Sequence, residues 1–225
     1  MRARVIVVGG SDQGRQAIDV IEETGNAEVV GVLDRRPGSA DHVAGYPVVG
    51  SDDELAGAAE STHASAFIVA IGENFARYRV LTREMARCPD LEPYRAVHPS
   101  AVLARDAVIG PGSIVMAGVV VGNGCRVGTG ALLGTRASLD HDCVLGDFAS
   151  LAPGVTTGGH VEVGNRTALG LGANVIHGVT IGADTVVGAG ALVVDDLVER
   201  VVAYGVPARV ARSREQDEPY LTPRR

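Results

Sequence analysis

Tryptophan is absent from the 225 residues, and all aromatic side chains together make up only 4%. A core so poor in rings must be filled by Val, Ile, Leu and Ala, which suits a stacked, repetitive interior better than an irregular one. Cysteine is scarce as well. The three present are odd in number and show no Cys-x-x-Cys spacing, which excludes a disulfide framework and a zinc ribbon. Basic residues are outnumbered, 20 Lys and Arg against 27 Asp and Glu, for a net charge of -7. General nucleic-acid binding needs clustered positive charge and is therefore not expected. No apolar run approaches the ~20 residues that cross a bilayer. The opening MRARVIVVGG runs straight into a strand and glycines, unlike a signal peptide. These absences point to a cytoplasmic protein with no membrane or nucleic-acid partner. What the chain has in quantity is glycine, 30 residues.

Residues 1–97 alternate short apolar runs with helix-like segments. RVIVVGG reads as a buried strand, and SDQGRQAIDVIEETG after it as an amphipathic helix stopped by Gly25. AEVVGVLD and AFIVAIG are further strands, SDDELAGAA is a short helix opened by Ser51, and NFARYRVLTREMARC is a helix capped by Asn74. Strands alternating with helices imply a small parallel sheet, half of a Rossmann-like unit.

From Leu103 the period becomes six. Leu103, Ile109, Val115, Val121, Val127, Leu133, Leu139, Leu145 and Leu151 follow one another without a slip. Thr157 is the one polar member, and Val163, Leu169, Val175, Ile181, Val187 and Val193 continue the series. A small or β-branched residue stands four positions after each, as at Ala131, Ala137 and Cys143, and a glycine commonly follows the aliphatic residue directly. Such long self-similarity marks a solenoid, and hexads mark a parallel β-helix in which three hexads close one triangular coil. The glycine is expected at a tight corner where a Cβ would strain the backbone. The chain thus divides into residues 1–97, a β-helix over 98–212 and a tail over 213–225.

Two stretches carry candidate chemistry. In LDHDCVLG, residues 139–146, two acids flank His141, which stands two residues after inward Leu139 and so faces outward. The residues themselves allow a solvated turn, a metal site or a catalytic base. A metal is disfavoured, because Asp140, His141 and Asp142 are consecutive and no second outward histidine is expected one coil away. His160 and His177 read as surface or interface residues, and His42 and His63 as loop residues. In GGSDQGR, residues 9–15, a strand leads into a helix, the context in which backbone amides hold a phosphate. Asp34, ending the second strand, is placed to accept hydrogen bonds from a ribose.

HDCVLGDF (141–148), APGV (152–155), VPAR (206–209) and AIGENFAR (70–77), together with VIVVGGSDQG and the hexads, resemble the bacterial sugar acetyltransferases of the left-handed β-helix class. These include N-acetyltransferases acting on nucleotide-linked 4-amino-sugars and O-acetyltransferases of the sialic acid type. The resemblance implies a left-handed coil, a homotrimer with sites between adjacent β-helices, and acetyl-CoA as co-substrate with no metal. It implies His141 as general base with Asp142 orienting it. It further implies acetyl-CoA contacts at Ser150, Gly159, Leu171, Ala189, Gly205, Pro207 and Arg209. Nucleotide-sugar contacts are implied at Gly10, Ser11, Asp12, Gln13, Asp34, Gly72 and Asn74. The chain departs from the family where Ser150 replaces a common His, Gly134 a common Asn, and Asp12 with Gln13 the usual Gly-His. The chemistry is coherent: an amine attacking a thioester must shed a proton, and an imidazole oriented by a carboxylate accepts it.

Overall fold

The computed structural model describes residues 2–35 and 41–221. The first half forms β1 (Ala3–Val8), α1 (Asp12–Thr24), β2 (Ala27–Leu33), β3 (His42–Val43), β4 (Tyr46–Gly50), α2 (Leu55–Thr62), β5 (Ala66–Val69), α3 (Asn74–Arg87) and β6 (Glu92–Pro93). The sheet order is β3-β4-β2-β1-β5-β6. All neighbours are parallel except the β3–β4 hairpin, so the sheet is mixed. His42 stands in that hairpin, on a strand rather than in a loop. The central strands are buried on both faces, Val5 to Val8 showing no exposure, which explains their unbroken apolar runs.

From Ala96 onward the chain winds as a parallel β-helix. Its two-residue strands stack into three sheets of eight, six and five strands, the eight-stranded sheet being completed by the terminal hairpin Val201–Gly205 and Ala208–Ser213. One coil separates Ile114 from Leu132 and Leu132 from Ser150, a spacing of three hexads. The aliphatic member of each hexad points inward, so Leu133, Leu139, Leu145 and Leu151 line one continuous core. Truncating such a residue to alanine would cost about 2–5 kcal/mol. Thr157 takes the same inward place and is buried. Cys125 and Cys143 sit in this core as free thiols.

The glycines are not where strain was expected. The left-handed position lies three residues after each aliphatic, held by Gly112, Gly118, Gly124 and Gly130 but also by Arg136, Asp142, Phe148 and His160. The glycine directly after the aliphatic permits coil-to-coil approach instead: a Cβ on Gly110 would lie 2.4 Å from the Gly128 backbone.

The two halves are packed together. Ala96, Ile114 and the partly buried Leu132 of the β-helix share an apolar cluster with Ala17, Ile18 and Ile21 of α1. Arg77 of α3 is fully buried and meets no acid. Its Nε donates to Gly130 O at 2.7 Å, Nη1 to Ile71 O and Gly72 O, and Nη2 to Asn74 Oδ1 and Phe148 O. All five guanidinium protons are thereby satisfied, which is what lets a charge persist there although burial pushes its pKa down. Among the described residues no helix is long and apolar enough to cross a membrane.

Candidate active site

His141 projects from the corner that joins the six- and five-stranded sheets, between the strands Ser138–Leu139 and Val144–Leu145. Its Nδ1 lies 3.0 Å from Asp142 Oδ2. A carboxylate only accepts, so Nδ1 carries the proton and Nε2 keeps its lone pair. Asp142 reaches this position because its backbone is left-handed, φ 57°, a conformation Asp tolerates better than most residues. The hydrogen bond to Asp142 raises the His141 pKa above its ordinary value, and the same bond holds the Asp142 carboxyl below the usual carboxylate range. Gly159 of the next coil lies directly against the ring, where a Cβ would be 2.4 Å from His141 Nε2. Asp140 accepts the His141 backbone N–H at 2.8 Å, so it braces the turn rather than standing free in water.

The expectation of a solitary histidine was wrong. His160 and His177 stand on the following coils at the same corner, with ring centroids 5.0 Å from His141 to His160 and 5.1 Å from His160 to His177. His160 is nineteen positions after His141, not the eighteen of strict stacking, and the turn residue's orientation brings its ring back over the corner. His141, Asp142 and His160 each offer a ligand atom within 4.8 Å of the others, a donor set suited to a transition metal.

The second element is a groove of about 490 Å³ over the eight-stranded sheet, mostly apolar, lined by Leu132, Gly134, Ser150, Ala168, Leu171 and Ala189. Its rim comes from α1 through Gln13, from Gly72, and from Tyr220 and Leu221 of the tail. The third is a cavity of about 1000 Å³ in the small domain, lined by Gly10, Ser11, Asp34, Ser51, Arg79 and Arg83. Gly10 lets Asp34 come close, since a Cβ there would lie 2.4 Å from Asp34 Oδ2 and push the carboxylate aside. Ser11 stands at the N-cap position of α1 without a side-chain capping bond, and the first-turn amides open beside this cavity.

The residues predicted to bind substrates are therefore divided. Gly10, Ser11 and Asp34 share the large cavity, whereas Gln13 and Gly72 line the groove with Ser150, Leu171 and Ala189. Asp12 is exposed and pairs with Arg15, lining neither space. Asn74 is buried and donates to Arg166 O and Thr167 O, which spends its amide on joining the halves and removes it from ligand contact. It does not cap α3 either: Glu73 does, accepting from Ala76 N at 3.0 Å. Ser51 does not open α2 directly; Glu54 stands at that cap, its carboxylate accepting from Ser51 N. Gly159 belongs to the histidine corner, and Gly205, Pro207 and Arg209 to the terminal hairpin, where Arg209 pairs with Asp195 at 3.2 Å. Sequence reasoning missed Arg79 and Arg83, whose spacing of four on the polar side of α3 was the available signal, and it missed Tyr220, for which there was none.

In a triangular coil the eight-stranded sheet lies opposite the corner joining the other two. His141 and the Ser150 groove of one chain thus face away from each other.

The PglD N-terminal domain family matches residues 4–83, and the bacterial transferase hexapeptide family matches residues 100–135. PerB from Caulobacter crescentus, solved with CoA and GDP-perosamine, is 40% identical with a TM-score of 0.86, covering 93% of this chain and 98% of that one. The acetyltransferase domain of PglB from Neisseria gonorrhoeae, solved with acetyl coenzyme A, is 29% identical with a TM-score of 0.86, covering 93% and 100%. WeeI from Acinetobacter baumannii, 21% identical over 92% and 99% with a TM-score of 0.83, shares the fold. No curated protein sequence matches.

Proposed function

The chain belongs to the hexapeptide-repeat family of nucleotide-amino-sugar N-acetyltransferases, with its left-handed β-helix, and from that premise we propose that it moves the acetyl group of acetyl-CoA onto the amine of a nucleotide-linked amino-sugar. The observation that carries this reading is the His141–Asp142 pair, an exposed imidazole with its proton fixed on Nδ1 and Nε2 left basic.

The amine nitrogen attacks the thioester carbonyl carbon as Nε2 of His141 takes its proton. The tetrahedral intermediate then expels the sulfur, the C–S bond breaks, and the proton passes from the imidazolium to the departing thiolate. Asp142 holds the tautomer and stabilises the imidazolium in between. Gly10, Ser11 and Asp34 hold the nucleotide, the α1 amides facing its phosphates. Ser150, Leu171 and Ala189 flank the pantetheine arm, with the Gly205–Arg209 hairpin toward the adenine end. No metal is needed: the amine is already nucleophilic once it is deprotonated.

The working assembly is a homotrimer, in which one chain's His141 corner closes on the next chain's groove. Exposed Val102, Val108, Val120 and Val144 on the coil support this, since such apolar surface is rarely left to water. On this reading the enzyme acts in the cytoplasm, in the biosynthesis of a polysaccharide or other glycan. CoA release measured against a panel of UDP-, GDP- and dTDP-linked amino-sugars tests the reaction. Turnover with at least one is expected, and none with any would overturn it. Sedimentation tests the assembly, where a fully active monomer would sink the shared site.

A further inference from the structure

The last described residues do not trail into solvent. Arg214 is buried and donates from Nη1 to Asp184 O at 2.6 Å, with Nη2 on Glu218 O. Its backbone N–H reaches Arg200 O at 2.9 Å. Arg212 grips the Glu218 carboxylate through both terminal nitrogens, at 2.6 and 3.1 Å. These bonds lead the chain back across the β-helix and set Tyr220 into the groove. There its hydroxyl donates to Gly72 O at 3.2 Å and meets Ser150 Oγ at 3.3 Å. The ring is half-buried, one side bordering the open groove, and burial around the hydroxyl pushes its pKa up. Leu221 covers Gly72, where a Cβ would lie 3.2 Å from its Cδ1.

The two spaces share no lining residue but approach each other here along the chain. Ser11 and Ile71 line the nucleotide cavity, and their near neighbours Gln13 and Gly72 line the groove. A nucleotide held by the small domain therefore sends its sugar past residues 71–72 into the groove beside Tyr220. Gln13 Nε2 is buried there with no hydrogen-bond partner. A buried amide left unpaired is unfavourable, and an oxygen-rich ligand arriving in the groove relieves it.

We propose that the segment Arg214–Leu221 is a built wall of the acyl-transfer groove, and that Tyr220 is a specificity-determining residue for the acceptor sugar, opposite Gln13. The inference rests on the N-acetyltransferase reading of the groove. A wall, rather than a plug, follows from two features. The tail is anchored by buried Arg214 and a two-point ion pair, and about 490 Å³ stays open beside Tyr220 with the tail in place.

Full-length Tyr220→Ala and Tyr220→Phe variants test this, assayed for CoA release and for binding of free UDP, GDP and dTDP. Tyr220→Ala should raise the acceptor KM about tenfold, as expected for a lost sugar-facing contact, and broaden the range of sugars accepted, with kcat changed far less. Tyr220→Phe, which keeps the ring, should fall between it and the parent. Affinity for the free nucleoside diphosphate should not move. An unchanged acceptor KM overturns the wall, and a lowered one shows the tail to be an occupant that competes with substrate. Equal loss of nucleoside diphosphate affinity would reveal a merely structural tyrosine. If the parent chain turns over no amino-sugar, the enzyme reading itself fails and takes the wall with it. Turnover by the parent with an unmoved KM in Tyr220→Ala sinks the wall alone.

Discussion

The histidine corner and the Ser150 groove are cut from the same hexad repeat, yet they are opposite kinds of surface. The corner is wet and polar: His141, Asp142 and His160 are all exposed, and three imidazoles crowd one edge. The groove is apolar and half-closed, floored by the outward Leu132, Ser150 and Ala168 and walled by elements from outside the repeat. The difference lies in which hexad position is varied. At the corner the turn residues carry the polar groups proposed for the chemistry, because a turn projects its side chain without disturbing the core. In the groove the outward strand positions stay small, as at Ser150 and Ala168, so that something can lie along the sheet. A solenoid can thus vary turns for catalysis and strands for binding while its inward leucines stay fixed.

Replacing the base breaks the corner most completely. His141→Ala should lower kcat by about 10²–10⁴-fold, the usual size of general-base catalysis. The melting temperature should barely move, because the side chain contributes little packing. Loss of stability matching the loss of rate would instead give His141 a structural role. A near-parental rate would leave the corner an ordinary turn.

Gly159→Ala attacks the same ring from beneath. Its backbone is not left-handed, so the substitution brings no φ strain, only a Cβ at 2.4 Å from His141 Nε2. The ring has to swing aside, and a displacement of about 1 Å at a reacting group costs up to about 100-fold. Measured kcat should fall by roughly 10- to 100-fold, with KM for acetyl-CoA little altered. An equal effect on KM would assign Gly159 to binding rather than to placing the base.

How much of this was legible depends on which half is considered. The hexads placed the inward aliphatic residues from Ile109 to Val193, because one inserted residue would have thrown the series out of register, though Leu197 and Ala203 of the same core lie beyond the series. The pairing of His141 with Asp142 was legible too, since the two are adjacent and only the left-handed turn had to be supplied by the fold. The His160 neighbour was not, because strict eighteen-residue stacking left it one position out, whereas His177 stands in register with His141 two coils on and was there to be read. Asn74 misled for a plainer reason. At a helix start Asn reads as a cap or a ligand contact, and nothing local reveals that its amide crosses to Arg166 and Thr167. Tyr220 was silent for the same cause, a contact made 148 residues away.

Asp142→Asn sharpens the electrostatic part of the corner. The carboxylate stabilises the imidazolium, so it raises the His141 pKa and requires a higher pH before the base is neutral. Its removal should lower that pKa, and the acid limb of the kcat/KM profile should move to lower pH. The plateau should also fall by about tenfold, since the imidazole is then less firmly oriented and a weaker base. An acid limb that stays in place would assign it to some other group.

The smallest effect belongs to Asp140. Among the described residues its carboxylate accepts only the His141 backbone N–H, at 2.8 Å, and lies exposed at the corner. Water can replace an exposed acceptor of this kind, and such a hydrogen bond contributes about 0.5–1.5 kcal/mol at most. The negative charge beside His141 contributes to its raised pKa, but after the hydrogen bond to Asp142. Asp140→Ala should therefore leave kcat within about threefold of the parent and shift the acid limb downward by less than Asp142→Asn does. The ranking His141, Gly159, Asp142, Asp140 separates a corner that works through one base from one that works through its summed charge. If Asp140→Ala proved as damaging as Asp142→Asn, the second account would hold, and the hydrogen bond from Nδ1 would lose its special place.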